Sequence, residues 1–233
     1  MKYDFDTVID RRGSFCFKYD GLKEVYGRED LIPLWIADMD FQVAPQIKAA
    51  MQKRLDHGIF GYNQRLPIYY ETVINWAKKR YGYEPQEDWI MTSPGIMPAV
   101  NLAVMQLTEP GDSVLIQTPV YQPFFSAVTA HNRKLVTNSL IPENGHYEID
   151  FEDFEKKLKE VKLFILCSPH NPVGRRWTDE ELFRMGTLCR QYNVPIISDE
   201  IHGDLVYNGA GSRSIAALEG MLDNLIVCFS PAK

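Results

Sequence analysis

Residues 161–174 read VKLFILCSPHNPVG, residues 194–202 read VPIISDEIH, and residues 224–233 read NLIVCFSPAK. Each opens as a continuous apolar run of strand length and ends abruptly in polar groups. An unbroken apolar run suits a strand covered on both faces, whereas a strand with one wet face would alternate. The three predicted strands are 161–168, 194–198 and 224–230. Along the chain such runs alternate with amphipathic stretches of helical period, so the fold class is α/β: three layers, αβα, around a mainly parallel sheet.

Working outward, VLIQ (114–117) and KLVTNSL (134–140) read as two more strands of the same sheet. Helices are predicted at about 46–57, 66–81, 96–107, 121–131 and 151–159, and from Thr178 to about 192. Pro45 and Pro67 stand where a first helical turn tolerates proline. Thr178 followed by Glu181 is a capping box. The 151–159 stretch is acidic first and lysine-rich later, as the helix dipole favours. A short strand is expected near 89–91. Residues 1–45 are irregular, with LWIADMDF their densest piece.

Composition excludes several classes of function. The chain has 233 residues, 45% of them hydrophobic and 24% charged, the balance of a folded globular protein and not of a disordered one. Lys and Arg number 25 against 31 Asp and Glu, a net charge of −6, so nothing draws the chain to nucleic acid or anionic membrane. No uncharged apolar run is long enough to span a bilayer. The start, MKYDFDTVIDRRGSF, lacks an apolar signal core. Cys16, Cys167, Cys189 and Cys228 form no CxxC pair, and Cys167 and Cys228 lie in apolar runs as buried thiols would. A reducing, cytoplasmic location is expected. No histidine spacing suggests a metal. The chain stops directly after a strand-like run, which predicts an incomplete chain.

In parallel α/β sheets ligands sit at the carboxyl ends of the strands. There the three runs offer Asn171, Asp199 and Lys233. The gaps of 28 and 34 residues are each long enough to hold a helical crossover, so the three groups could converge. An amide, a carboxylate and a lysine suit a cofactor with a phenolic oxygen, a ring nitrogen and an aldehyde. Pyridoxal 5′-phosphate has all three.

HNPVG, SDEIH and SPAK, in this order, resemble the fold-type I pyridoxal-phosphate enzymes of the aminotransferase class I/II superfamily. LWIADMDF, GYNQ (61–64), SPGIMPAV and TPVYQPF are similar to the carbon–sulfur lyases of the MalY/PatB type, the cystathionine β-lyases. The resemblance implies that Lys233 carries the cofactor as a Schiff base and later acts as the general base. It implies that Asp199 holds the ring N–H, and that Asn171 donates to the phenolic oxygen. Tyr121 would stack on the ring, with Ile201 on the opposite face. His202 would make a polar contact to the phenolic oxygen; a structural histidine is the other reading. Gly95, Ile96 and Met97, opening a helix, would offer N–H groups to the phosphate, and Ser230 would also reach it. Tyr62 would come from the partner subunit of a homodimer with shared active sites.

Trp35, Asp38 and Asp40 would lie near the substrate entrance, with packing the stronger reading for Trp35. Residues 1–45 would contribute to a small domain and to that entrance. Residues 46–233 would form an incomplete large cofactor-binding domain, the remainder lying beyond Lys233. The implied activity is β-elimination of L-cystathionine or related cysteine S-conjugates to a thiol, pyruvate and ammonia. An aminotransferase uses the same residues up to the carbanion and stays open as an alternative, as does, lower, a cofactor-binding regulatory module.

Overall fold

In the computed structural model, which describes residues 3–207 and 211–233, a five-stranded sheet carries the core. Its strands are β1 (Ser113–Thr118), β2 (Lys134–Ser139), β5 (Leu163–Cys167), β6 (Ile196–Asp199) and β7 (Leu225–Cys228), in the spatial order β2-β1-β5-β6-β7. Every pairing in it is parallel. Side chains alternate between two buried clusters, one on each face. Leu163, Ile165 and Cys167 of β5 join one cluster, and Phe164 and Leu166 the other. This two-sided burial is why the strands read as unbroken apolar runs.

One face is covered by α5 (Ile96–Leu107) and α6 (Pro123–Thr129), through Val100, Val104, Phe124 and Val128. The other is covered by α7 (Phe151–Leu158) and α8 (Asp179–Gln191), through Phe154, Leu158, Leu182 and Met185. The three-layer architecture is therefore as expected. Both α7 and α8 start at caps legible in the sequence. The Asp150 side chain accepts from the Asp153 N–H at 2.9 Å, and Thr178 and Glu181 close the capping box. Arg175 grips Glu181 with two hydrogen bonds, 2.8 and 2.7 Å, which holds the box in place.

Two local expectations need correction. Residues 89–91 form no strand: Glu87–Trp89 is a tight helical turn and Met91 is 92% exposed. Among the described residues no strand lies beside this stretch to receive its hydrogen bonds. Conversely, β3 (Ile141–Glu143) and β4 (His146–Glu148) form a hairpin that apolar patterning does not reveal, because its residues are mostly exposed. The Asn144-Gly145 pair, with φ of 47° and 81°, is the turn signal that marks it.

The chain divides into two units, Met1–Arg65 with Lys233, and Leu66–Ala232. The first contains α1 (Phe17–Asp20), α2 (Leu22–Tyr26) and α3 (Pro45–His57). Its LWIADMDF segment is fixed by ions. Arg11 pairs with both Asp38 and Asp40, and the buried Lys18 ammonium donates to the Asp38 carbonyl at 2.9 Å and to Asp40 at 2.7 Å. Lys18 and Arg11 together hold the Asp40 carboxyl below its usual range. Trp35 meets Phe17 and Tyr26 edge-on and donates its indole N–H to the Lys18 carbonyl, so packing is its role here. The second unit adds α4 (Pro67–Trp76), which runs on through a wider π-type turn, Ala77–Tyr81. Among the described residues no helix is long and apolar enough to cross a membrane.

Candidate active site

From β1 the chain crosses to β2 on one side, while β5 lies on the other. Such a reversal opens a crevice at the carboxyl ends of the two central strands. The loop leaving β1 carries Tyr121, and the loop leaving β5 carries Asn171. His170 joins the two. It is 2% exposed, and its Nε2–H donates to the Pro119 carbonyl at 2.9 Å. Burial holds its pKa below the usual imidazole value, so it acts as a neutral donor. It also stands edge-on to Trp177, whose indole N–H donates to the Cys167 carbonyl at 3.0 Å. Asn171 is half-buried, and its backbone N–H donates to Cys167 Sγ at 3.4 Å. Tyr121 remains 39% exposed and meets Phe124 edge-on.

Asp199 ends β6 and is 3% exposed. In the strand register it stands between Cys167 of β5 and Cys228 of β7. Its backbone carbonyl accepts from the Ser168 N–H at 2.9 Å, and its Oδ1 accepts from the Ile201 N–H at 3.1 Å. Burial first, and the Asp199 charge second, push the Cys167 and Cys228 thiols up to about 12 each. The carboxylate thus makes this strand end electronegative, and the neighbouring thiols stay protonated.

The loop beyond Asp199 carries Ile201 and His202, both half-buried. Its next residues bind it to the end of α4. A Cβ on Gly203 would lie 2.8 Å from a Tyr81 ring carbon and 3.1 Å from the Glu200 carbonyl, so only glycine fits. Asp204 accepts from Tyr81 Oη at 2.8 Å, Trp76 Nε1 at 3.1 Å and Arg80 Nε at 3.0 Å. The wider turn at Ala77–Tyr81 is what carries Arg80 and Tyr81 to the same carboxylate as Trp76. Asp204, Tyr81 and the buried Glu200 were not singled out by the sequence reading. For Asp204 and Glu200 the only signal is an acid shortly after the predicted strand 194–198, and for Tyr81 it is an aromatic residue at a predicted helix end.

Gly95, with an extended φ of 174°, precedes α5, and Ile96 and Met97 form its first turn. Both pack against the apolar cluster that contains Cys167, Ile197 and Cys228. The first turn has no carboxylate, and Pro98 brings no N–H, so the donors at this helix end belong to Gly95, Ile96 and Met97. Ser230 follows β7 by two residues, half-buried, its Oγ accepting from the Ala232 N–H at 3.1 Å. The sheet register and the His170 bond therefore collect Asp199, Asn171, Ser230 and the Tyr121 loop at one end of the sheet. Tyr62 and Lys233, both exposed, group with the first unit.

The family model described as aminotransferase class I and II matches residues 29–233. Cystathionine beta-lyase PatB of Bacillus subtilis (strain 168) is 42% identical over 233 residues, covering 99% of this chain and 60% of the relative. Cystalysin from Treponema denticola, whose crystal structure contains a pyridoxal 5′-phosphate cofactor, superposes with a TM-score of 0.93 at 37% identity, over 99% of this chain and 60% of that one. The pyridoxal-phosphate-bound C-S lyase from Staphylococcus hominis gives 0.92 at 36% identity, over 99% and 59%. The chain spans about 60% of the length of these relatives.

Proposed function

Because the chain belongs to the aminotransferase class I and II family, we propose that it forms the cofactor-binding part of a pyridoxal-phosphate-dependent carbon–sulfur lyase. The reaction is β-elimination of L-cystathionine, or a related cysteine S-conjugate, to a thiol, pyruvate and ammonia. The observation that carries this reading is the 42% identity to a cystathionine beta-lyase along 99% of the chain. An aminotransferase remains the rival within the family.

The residues present suit the group. A buried carboxylate at a strand end matches a protonated ring nitrogen, and an acid-free helix start with bare N–H groups matches a phosphate dianion. When bound, pyridoxal phosphate supplies an electron sink that acidifies the substrate Cα–H. Asp199 would hold the ring nitrogen protonated, which keeps that sink effective. Asn171 would donate to the phenolic oxygen, beside His202. Tyr121 and Ile201 would hold the ring between them. Gly95, Ile96, Met97 and Ser230 would hold the phosphate. Lys233 is the amine to which the aldehyde carbon would attach. Its amine, when free and neutral, would take the substrate Cα proton as general base.

We further propose a homodimer in which Tyr62 serves the partner's phosphate site. Tyr62 is fully exposed, and α3 presents Ile47, Met51 and Leu55 to the outside with no buried residue of its own, which suits a covered face. Four free cysteines suit a reducing cytoplasm.

The test uses the full-length protein incubated with L-cystathionine, assaying pyruvate and free thiol. Both should appear in equal amounts, and Lys233→Ala should abolish them. A new amino acid formed from an added 2-oxoacid, without pyruvate, would replace the lyase reading with the aminotransferase one.

A further inference from the structure

Glu200 is a carboxyl that the proposed chemistry leaves unused, yet it is 2% exposed and directly follows Asp199. Its Oε1 accepts from Ser198 Oγ at 2.9 Å, Ser214 Oγ at 2.9 Å and the Ile215 N–H at 3.4 Å. Ser198 belongs to β6, whereas Ser214 caps the short turn Ile215–Ala217 and donates its backbone N–H to the Tyr81 carbonyl at 3.1 Å. The Glu200 backbone N–H donates to the Cys228 carbonyl at 2.8 Å. One side chain therefore fastens the end of β6 to the 214–217 segment, while its backbone ties the same point to β7.

Among the titratable groups of the described residues that act on Glu200, or feel it, are Asp199 from β6, Cys228 from β7, and Tyr81 and Tyr83 from the end of α4 and the turn after it. All four are acids, and none offers a positive charge. Burial pushes the Glu200 carboxyl up to about 7, against the pull of its three donors, and the Asp199 charge adds to the rise.

We propose that Glu200 is a positioning residue for Asp199 that also answers its charge: it holds its proton in the cofactor-free protein and yields it when a protonated ring nitrogen docks on Asp199. The inference rests on the cofactor reading above. A cation at Asp199 offsets the like charge that Glu200 faces, so the Glu200 O–H bond breaks, its electron pair stays on the carboxylate, and the proton leaves to solvent. By reciprocity, losing that proton strengthens the hold of this strand end on the ring.

The experiment is calorimetric titration of the full-length apoprotein with pyridoxal phosphate near pH 7, in buffers of different ionisation enthalpy, which counts protons released. If docking makes Glu200 tenfold more acidic, its share is at most roughly half a proton. Glu200→Gln should lower the count by that amount. Ser214→Ala, which removes one donor from the carboxylate, should move the release to higher pH, and it keeps the test alive if the Gln protein does not fold. With the 1-deaza analogue of the cofactor, which has carbon in place of the ring nitrogen, wild type and Glu200→Gln should agree. A merely structural Glu200 would lower affinity in the variants and leave the counts equal; equal counts overturn the proposal. Failure of the wild type to bind pyridoxal phosphate overturns the cofactor reading itself, and the proposal falls with it.

Discussion

Asp204→Ala isolates how the loop beyond Asp199 is held. The carboxylate receives three donors, and they are unequal. Tyr81 is 2% exposed, whereas the Arg80 side chain is 44% exposed and Trp76 is 46% exposed. Arg80 and Trp76 regain water when Asp204 goes, so their loss is small. The Tyr81 hydroxyl, donating at 2.8 Å, is left buried without an acceptor, at a cost of about 1–3 kcal/mol. A total near 2 kcal/mol is expected, read by urea unfolding of the full-length apoprotein. Tyr81→Phe removes the stranded donor. The double variant should therefore recover about 1 kcal/mol relative to the sum of the single changes. The affinity for pyridoxal phosphate should fall with Asp204→Ala and return in part in the double variant. Strict additivity of the two changes would refute the assignment of the cost to the orphaned hydroxyl.

Glu200 also makes stability depend on pH. Its carboxyl stands at about 7 in the fold against an ordinary 4.5, so the native state retains a proton that the unfolded chain gives up. That contribution is intact below about pH 4.5 and declines as pH rises to about 7, by about 3 kcal/mol in all. In Glu200→Gln this part of the decline should be missing from unfolding midpoints measured between pH 5 and 8; parallel profiles would contradict it. Gly203→Ala should destabilise by about 1–3 kcal/mol, since its methyl would press on the Tyr81 ring at 2.8 Å. Pairing it with Tyr81→Leu, which withdraws the ring, should lessen the loss, and no relief would show that the strain lies elsewhere.

The sheet was legible because both of its faces are dry. Strands such as Leu163–Cys167 are then apolar at every position, and the polar residues that follow mark the ends where ligands bind. The caps at Asp150 and Thr178 were legible because capping is local chemistry. The hairpin at 141–148 was not, since exposed strands lack an apolar signature, and only Asn144-Gly145 announces the turn. The stretch 89–91 misled because its apolar residues imitate a strand, although strand formation depends on a neighbour that no local pattern encodes. Asp199 was read from its place at a strand end together with the resemblance that SDEIH carries. Glu200 and Asp204 escaped because their partners, Ser214 and Tyr81, come from distant parts of the chain, and local sequence carries no trace of such pairing.

Cys167, Asp199 and Cys228 finish their strands side by side, which gives the fold an internal proofreading device. Neighbouring residues of a strand project into opposite helical layers. If β6 slid by one position, the acid would be driven into the oily stratum beneath while Ser198 or Glu200 took its station. A misaligned molecule would thus forfeit stability and, with it, the cofactor site proposed around Asp199, so the same alignment would serve both.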